Sequence, residues 1–153
     1  MVGRRYNIYI TGTIPNSTTN VFANVTGGTT IRTNIYDIVT ASTATPADNA
    51  AEFYMQRSTT AGSGGTAITP QALDAADPAA VTACQQLPSV QPTLTSNAIL
   101  LAWSHNQRAT FRWVAAPNSE LVVPATSANG IALVNPAIGG SAVAYQANIM
   151  IAE

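Results

Sequence analysis

The stretch from Asn106 to Asn135 constrains the fold most, because it reads as short strands joined by turns. Residues 109–115 alternate apolar and polar side chains, which is the period-two pattern of a half-buried strand. Pro124 ends the next apolar run, since proline cannot donate to a ladder. Asn129-Gly130 then supplies a turn, because both residues tolerate positive φ. Several short strands joined by such turns predict an antiparallel β-sandwich.

The same alternation recurs along most of the chain. It predicts further strands over residues 5–11, 21–26, 29–40, 51–57, 98–103 and 142–152. In the third of these the apolar parity shifts between Ile35 and Tyr36, which predicts a β-bulge near Ile35. The length of 153 residues suits one domain, so residues 1–153 are expected to form a single all-β domain.

The helical signals of the chain lie between residues 69 and 87. Thr69-Pro70 and Asp77-Pro78 each place a capping side chain before a proline at the first helical position. Val81 and Cys84 then fall on one stripe of a helix. These signals predict one or two short helices inserted between the strands.

Charged residues are scarce in this sequence. Asp, Glu, Lys and Arg make up 8% of the chain, and the net charge is -1, whereas about 25% is usual. The chain has no lysine to guard exposed sheet edges and little net charge to keep copies apart. Such a surface suits close packing with other subunits. The scattered arginines form no concentrated basic patch, so no nucleic-acid partner is expected.

Neither a disulfide nor a membrane anchor is expected. Cys84 is the single cysteine, so it cannot form an intrachain bridge and is expected to be a small buried apolar residue. The N-terminal residues alternate polar and apolar side chains, where a signal peptide requires an unbroken hydrophobic core. No run approaches the roughly 20 apolar residues of a membrane span.

The sequence contains no clear catalytic or metal-binding constellation. His105 is the only imidazole and is predicted to lie in a polar hairpin tip, so it offers neither a triad nor a metal site. A pair of catalytic carboxylates of the glycosidase type is formally possible among five acidic residues. Two of these, Asp74 and Asp77, are better explained as turn and helix-cap residues. The five are Asp48, Glu52, Asp74, Asp77 and Glu120. We expect no enzyme activity, no cofactor and no metal.

Large side chains on the strands suggest either a ligand platform or contacts between subunits. Trp103 and Trp113 could stack on a sugar, but their period places them with the core and favours packing. Tyr9, Tyr36 and Met150 point outward in the predicted pattern. These three residues are the predicted subunit or capsid contacts.

A set of short motifs lies between residues 40 and 153. The most specific of them is the run from Asn106 to Pro117. The others are Thr45-Pro-Ala-Asp-Asn-Ala50, Gln56-Arg57 with Thr60-Ala-Gly62, Thr69-Pro70, Asp77-Pro-Ala-Ala80, Glu120, Pro124-Ala-Thr126, Asn129-Gly-Ile131 and Glu153. Together these motifs resemble a family of small proteins encoded among tailed-phage head genes, and the first 40 residues match only in strand pattern.

The resemblance implies a jelly-roll fold and a role as head decoration or cement protein. It implies a homotrimer on the outside of the capsid, with the major capsid protein as partner, made in the host cytoplasm and located in the virion. The family has no catalytic motif, so no residue receives a chemical role. Two alternatives stay open: a trimeric receptor- or glycan-binding module, in the style of tumour-necrosis-factor-like domains, and a tail or fibre component.

Overall fold

The computed structural model describes residues 3–15, 18–137 and 139–153. Residues 1, 2, 16, 17 and 138 belong to the predicted single domain but lie outside the described residues. The described residues form strands β1 (Arg5–Ile14), β2 (Asn20–Thr26), β3 (Thr33–Ser42), β4 (Ala50–Ser58), β5 (Thr66–Ile68), β6 (Gln71–Ala72), β7 (Ala83–Gln86), β8 (Leu94–Asn106), β9 (Phe111–Val114), β10 (Leu121–Val123), β11 (Gly130–Asn135) and β12 (Val143–Ala152).

The strands form two antiparallel sheets that enclose one main hydrophobic core. Sheet A has the order β10-β3-β12-β1-β6, and β9 also pairs with β3. Sheet B has the order β5-β7-β2-β11-β4-β8. The predicted all-β architecture of two antiparallel sheets is therefore confirmed.

Strict alternation along the central strands separates the core from the surface. Ile8 of β1 pairs with Ile149 of β12, and both are fully buried. The next pair, Tyr9 and Asn148, points to the outer face of sheet A. The period-two pattern in the sequence therefore indicates which side chains face the opposite sheet.

The β-bulge predicted near Ile35 is confirmed. The pairing of β3 with β12 shifts register between Met150 and Ile151, so that Ile35 faces Ile151 and Asp37 faces Met150. Tyr36 is the extra residue on β3. Because of the bulge, the apolar side chain of Ile38, in the second half of β3, points into the core.

The predicted helices between Thr69 and Leu87 are wrong, because no described residue of this segment is helical. The segment forms β5, β6 and β7 instead, and β7 pairs with β2 at the edge of sheet B. Thr82 and Cys84 are both buried, at two-residue spacing, as in a strand. Val81 is 44% exposed, so the helical stripe inferred from the sequence does not face the core.

The insertion, defined as residues 59–93 between β4 and β8, is anchored to sheet A by side chains. Glu153 Oε1 accepts hydrogen bonds from the amide of Val81 at 2.9 Å and from the amide and hydroxyl of Thr82, both at 2.7 Å. The Tyr6 hydroxyl donates to the carbonyl of Pro78 at 3.1 Å. The insertion therefore bridges the two sheets, since β5 and β7 extend sheet B.

Replacing Glu153 with glutamine is expected to loosen the insertion. A hydrogen bond to a charged group contributes about 1.5–3 kcal/mol and one to a neutral group about 0.5–1.5 kcal/mol, so the free energy of unfolding should fall by about 1–1.5 kcal/mol. Amide hydrogen exchange at Val81 and Thr82 should accelerate, because both amides lose a carboxylate acceptor. Glu120→Gln is the matched control and should change the stability by less than about 0.5 kcal/mol. Equal effects of the two substitutions would contradict the anchoring role.

Candidate functional site

The outer face of sheet A brings the three predicted contact residues together. Met150 of β12 lies beside Asn7 of β1 and Asp37 of β3. Tyr36 occupies the bulge next to Asp37, and Tyr9 lies two residues beyond Asn7 on the same side of β1. We call this surface, with Tyr9, Tyr36 and Met150 at its centre, the open face.

Charged groups on the open face are paired with other groups of the same face. The Asp37 carboxylate is buried and accepts from Arg112 Nε at 3.1 Å and from Arg112 Nη2 at 2.6 Å. The hydrogen bond and charge of Asp37 raise the pKa of Arg112. The Arg5 guanidinium lies 5.8 Å from the centre of the Tyr36 ring, within cation–π range.

Large apolar surface remains exposed on the open face. Tyr9 is 48% exposed, and Val114, which lies opposite Asp37 on β9, is 56% exposed. Tyr36 and Met150 are partly exposed. Asp37 and Arg112 already pair with each other, so this face can contact another protein mainly through apolar and neutral polar groups.

The outer face of sheet B is different, because the chain covers it with its own insertion and the start of β8. The amide of Gly62 donates to Asn24 Oδ1 at 2.9 Å, and Asn24 is 1% exposed. Gln56 Nε2 donates to the carbonyl of Thr95 at 2.7 Å. A second small apolar cluster lies on this side of the sheet, and its members are Val21, Ala132, Val134, Tyr54 and Leu94. This face therefore has much of its surface occupied within the chain.

His105 does not lie in a hairpin tip, and that prediction is wrong. It belongs to β8, and its ring stacks on Phe53 at 5.8 Å and on Phe111 at 6.3 Å and meets Tyr145 edge-on at 6.1 Å. Trp103 stacks on Phe111 at 4.7 Å. The predicted packing role of Trp103 is confirmed by its 7% exposure, and these five rings form an aromatic cluster between the sheets.

Polar atoms inside the aromatic cluster have no hydrogen-bond partner. These are both ring nitrogens of His105, Trp103 Nε1 and the Tyr145 hydroxyl. Burial lowers the pKa of His105 and raises the pKa of Tyr145 to about 12. His105 is therefore neutral near pH 7 and touches hydrophobic rings instead of a nucleophile.

The stability of the fold is expected to fall below about pH 6.5, the ordinary pKa of histidine. The folded state disfavours the charged imidazole, so in this range the unfolded chain binds more protons and stability rises with pH. The stability that depends on a neutral His105 is fully present above the pKa that this histidine has in the unfolded chain. It is lost as the pH falls below that pKa, at no more than about 1.4 kcal/mol per pH unit. Urea unfolding midpoints of the wild type and His105→Phe at roughly pH 7.5 and roughly pH 5.5 would measure the effect. The phenylalanine variant should lose less stability on acidification; an equal loss would exclude His105 as the cause.

The candidate catalytic residues are dispersed or engaged elsewhere. Asp48 accepts a hydrogen bond from Asn106, and Asp74 accepts from the amide of Ala76 in its own turn, which confirms the turn role of Asp74. Cys84 is buried as predicted, and burial raises its pKa to about 12, so it carries no thiolate near neutral pH.

Asp74 and Asp77 line a surface hollow of about 460 Å³ together with Arg4 and Arg5. The mixed charges make this hollow a zwitterionic surface and not a paired-carboxylate site. Among the described residues no group of three or more His, Cys, Asp or Glu side chains could hold a metal ion. No helix of the described chain is long and apolar enough to cross a membrane.

Comparison with known proteins adds little to this description. No protein-family model matches the sequence, and no curated protein matches it. Among solved structures, a crystal structure of decameric BFDV capsid protein is 14% identical, with 97% of this chain and 98% of that chain covered, at a TM-score of 0.19. A score this low carries no argument about fold or function.

Proposed function

We propose that this chain is a structural virion protein, a decoration or cement protein that attaches as a homotrimer to the outside of an assembled phage head. Its partner is the major capsid protein, and its location is the capsid surface after synthesis in the host cytoplasm. The resemblance of residues 40–153 to proteins encoded among tailed-phage head genes supports this function. In this role the protein binds the phage head and stabilises it, and it catalyses no reaction.

The single observation that carries the proposal is the asymmetry between the two outer faces. The chain covers much of the outer face of sheet B with its own insertion, where Asn24 is 1% exposed, and leaves the part along β8 exposed. The open face keeps Tyr9, Tyr36 and Met150 together and partly exposed. A subunit that spans neighbouring capsomers needs such a surface, because each added contact must be broken before the capsomers separate.

The order of the strands supports a jelly-roll connection. Without the insertion strands β5, β6 and β7, sheet A contains β1, β12, β3 and one further position, where β9 and β10 both pair with β3. Sheet B then contains β2, β4, β8 and β11. The chain crosses between the sheets at most of its connections. Two four-stranded antiparallel sheets linked in this way are typical of jelly rolls, a fold used by viral capsid proteins and lectins.

A receptor- or glycan-binding module is the rival function, in a tail, a fibre or a tumour-necrosis-factor-like trimer. Its best site is a hollow of about 390 Å³ lined by polar residues that include Asn49, Glu52 and Ser104. Sugar recognition generally benefits from an exposed aromatic platform, but Trp103 is in the core and Trp113 packs against it. The decoration role is therefore preferred.

The function is tested by cosedimentation of the purified protein with phage heads that lack it. The wild type should sediment with the heads, and in solution its mass should be a multiple of three 15.8 kDa subunits. His105→Phe should bind like the wild type, because His105 packs in the aromatic cluster and not on the open face. A 15.8 kDa particle at micromolar concentration would contradict the trimer, whereas binding of glycans but not heads would favour the rival.

A further inference from the structure

The edge strand β8 of sheet B is longer than the other terminal strands of the two sheets. The edge strands β5, β6, β9 and β10 have three, two, four and three residues. β8 has 13, and its pairing with β4 keeps one register over residues 101–106 and shifts twice before that point. Short strands, lysines and prolines are the usual protection of an edge against pairing. β8 contains no Lys, Arg, Asp, Glu or Pro. Residues 101–106 therefore form a regular edge of sheet B without these protections, and the register shifts are confined to the part of β8 before residue 101.

The backbone groups that β8 leaves free can be assigned from its register. The amide of Gln107 donates to the carbonyl of Asn49 at 2.8 Å, which continues the pairing of β8 with β4. Hydrogen-bonded pairs alternate in an antiparallel ladder, so the amides and carbonyls of Ala102 and Ser104 point away from β4. Within the described residues β8 pairs with β4 alone.

We propose that β8 pairs antiparallel with β8 of a second copy, which joins two B sheets across a twofold axis. An extended partner strand can satisfy the free backbone groups of Ala102 and Ser104, which are exposed and otherwise bond to water. Their side chains are small, so another strand can approach closely. Because β8 is uncharged, identical edges meet without like-charge repulsion, whereas an acidic or basic peptide finds no complementary charge. Ile99, which is 49% exposed, adds apolar surface to the contact.

The pairing closes at two copies. A twofold contact is self-complementary, so each β8 satisfies the other. The opposite edge of sheet B is β5, which has only three residues and cannot extend the sheet in the same way. The contact lies apart from the open face and stands independently of the proposed function. In the proposed trimer the three β8 edges all meet one facing trimer, so the contact doubles the mass of the assembly.

The test compares Ala102→Lys/Ser104→Lys with the control Thr66→Lys/Ala67→Lys at the opposite edge of sheet B. All four positions are exposed, so the fold should be kept in both variants. Light scattering should give the β8 variant half the mass of the wild type, and the control the full mass. Halving by both variants, or by neither, would overturn the proposal.

Hydrogen exchange provides a second readout at the proposed ladder itself. At a concentration where the wild type is assembled, the amides of Ala102 and Ser104 should exchange at least about tenfold more slowly than after dilution. Tyr9→Lys/Met150→Lys should retain this protection, because it alters only the open face. Fast exchange of both amides at every concentration would contradict the β8 contact even if the protein proved oligomeric. Loss of head binding with the protection intact would affect only the proposed function.

Discussion

Replacing Phe53 with alanine is expected to lower the free energy of unfolding by about 3–5 kcal/mol. The Phe53 side chain is fully buried and contacts Trp103 at 5.9 Å, His105 at 5.8 Å and Tyr145 at 5.2 Å between ring centres. Removing it opens a cavity within the aromatic cluster. Surrounding rings cannot fill that space without leaving their own contacts.

The loss at Phe53 is measured by urea unfolding with linear extrapolation. Phe53→Leu keeps part of the volume and should cost less, so it provides a folded variant if the alanine protein is too unstable. Val114→Ala is the surface control, because Val114 is 56% exposed, and should cost less than about 0.5 kcal/mol. A loss below about 1 kcal/mol for Phe53→Ala would mean that the cluster is not packed as described.

Placing lysines on the open face is expected to weaken head binding by about a hundredfold, or roughly 3 kcal/mol. The variant is Tyr9→Lys/Met150→Lys, in which a dry contact would have to bury two added ammonium groups. Lysine is chosen because Met150 lies opposite Asp37, and an acidic side chain there would repel that carboxylate. The fold should therefore tolerate the change.

The matched control replaces two exposed apolar residues elsewhere, as Leu73→Lys/Val90→Lys. Leu73 is 56% exposed and Val90 is 61% exposed, and the charge change is the same. Binding isotherms on heads should place the control close to the wild type. Equal weakening by both pairs would show that added charge alone is responsible and would remove the open face from the account. Light scattering on the same samples separates loss of the trimer from loss of capsid contact.

Much of the fold could be predicted from the sequence because the strands alternate regularly. Alternation assigned Tyr9 and Met150 to the outer face, and the bulge at Tyr36 left a visible shift of parity in the sequence. The segment between Thr69 and Leu87 misled the prediction, since its prolines imitate helix starts. Pairing with β2 and the carboxylate of Glu153 favours extended backbone there, and neither partner is near in sequence.

The candidate site could be predicted only in part. The outward direction of Tyr9 and Met150 followed from alternation, but the covering of sheet B required knowledge of where the insertion folds back. Asp37 and Arg112 are 75 positions apart, and their ion pair depends on the register of β9 on β3. His105 was misplaced because its polar neighbours Ser104 and Asn106 suggested a turn, whereas they are the outward residues of a strand.

The most direct measurement of the central claim is to add the protein back to heads that lack it and to determine occupancy and resistance to heat and osmotic shock. The open face relies on neutral polar and apolar contacts, so screening by salt should remove little affinity. Occupancy should therefore change little between about 50 and about 200 mM salt, and occupied heads should survive harsher treatment than empty ones. A fall by several powers of ten over this range, as in counterion-release binding to a polyanion, would contradict the contact model. Heads that bind no copies at any salt concentration would contradict the decoration function itself.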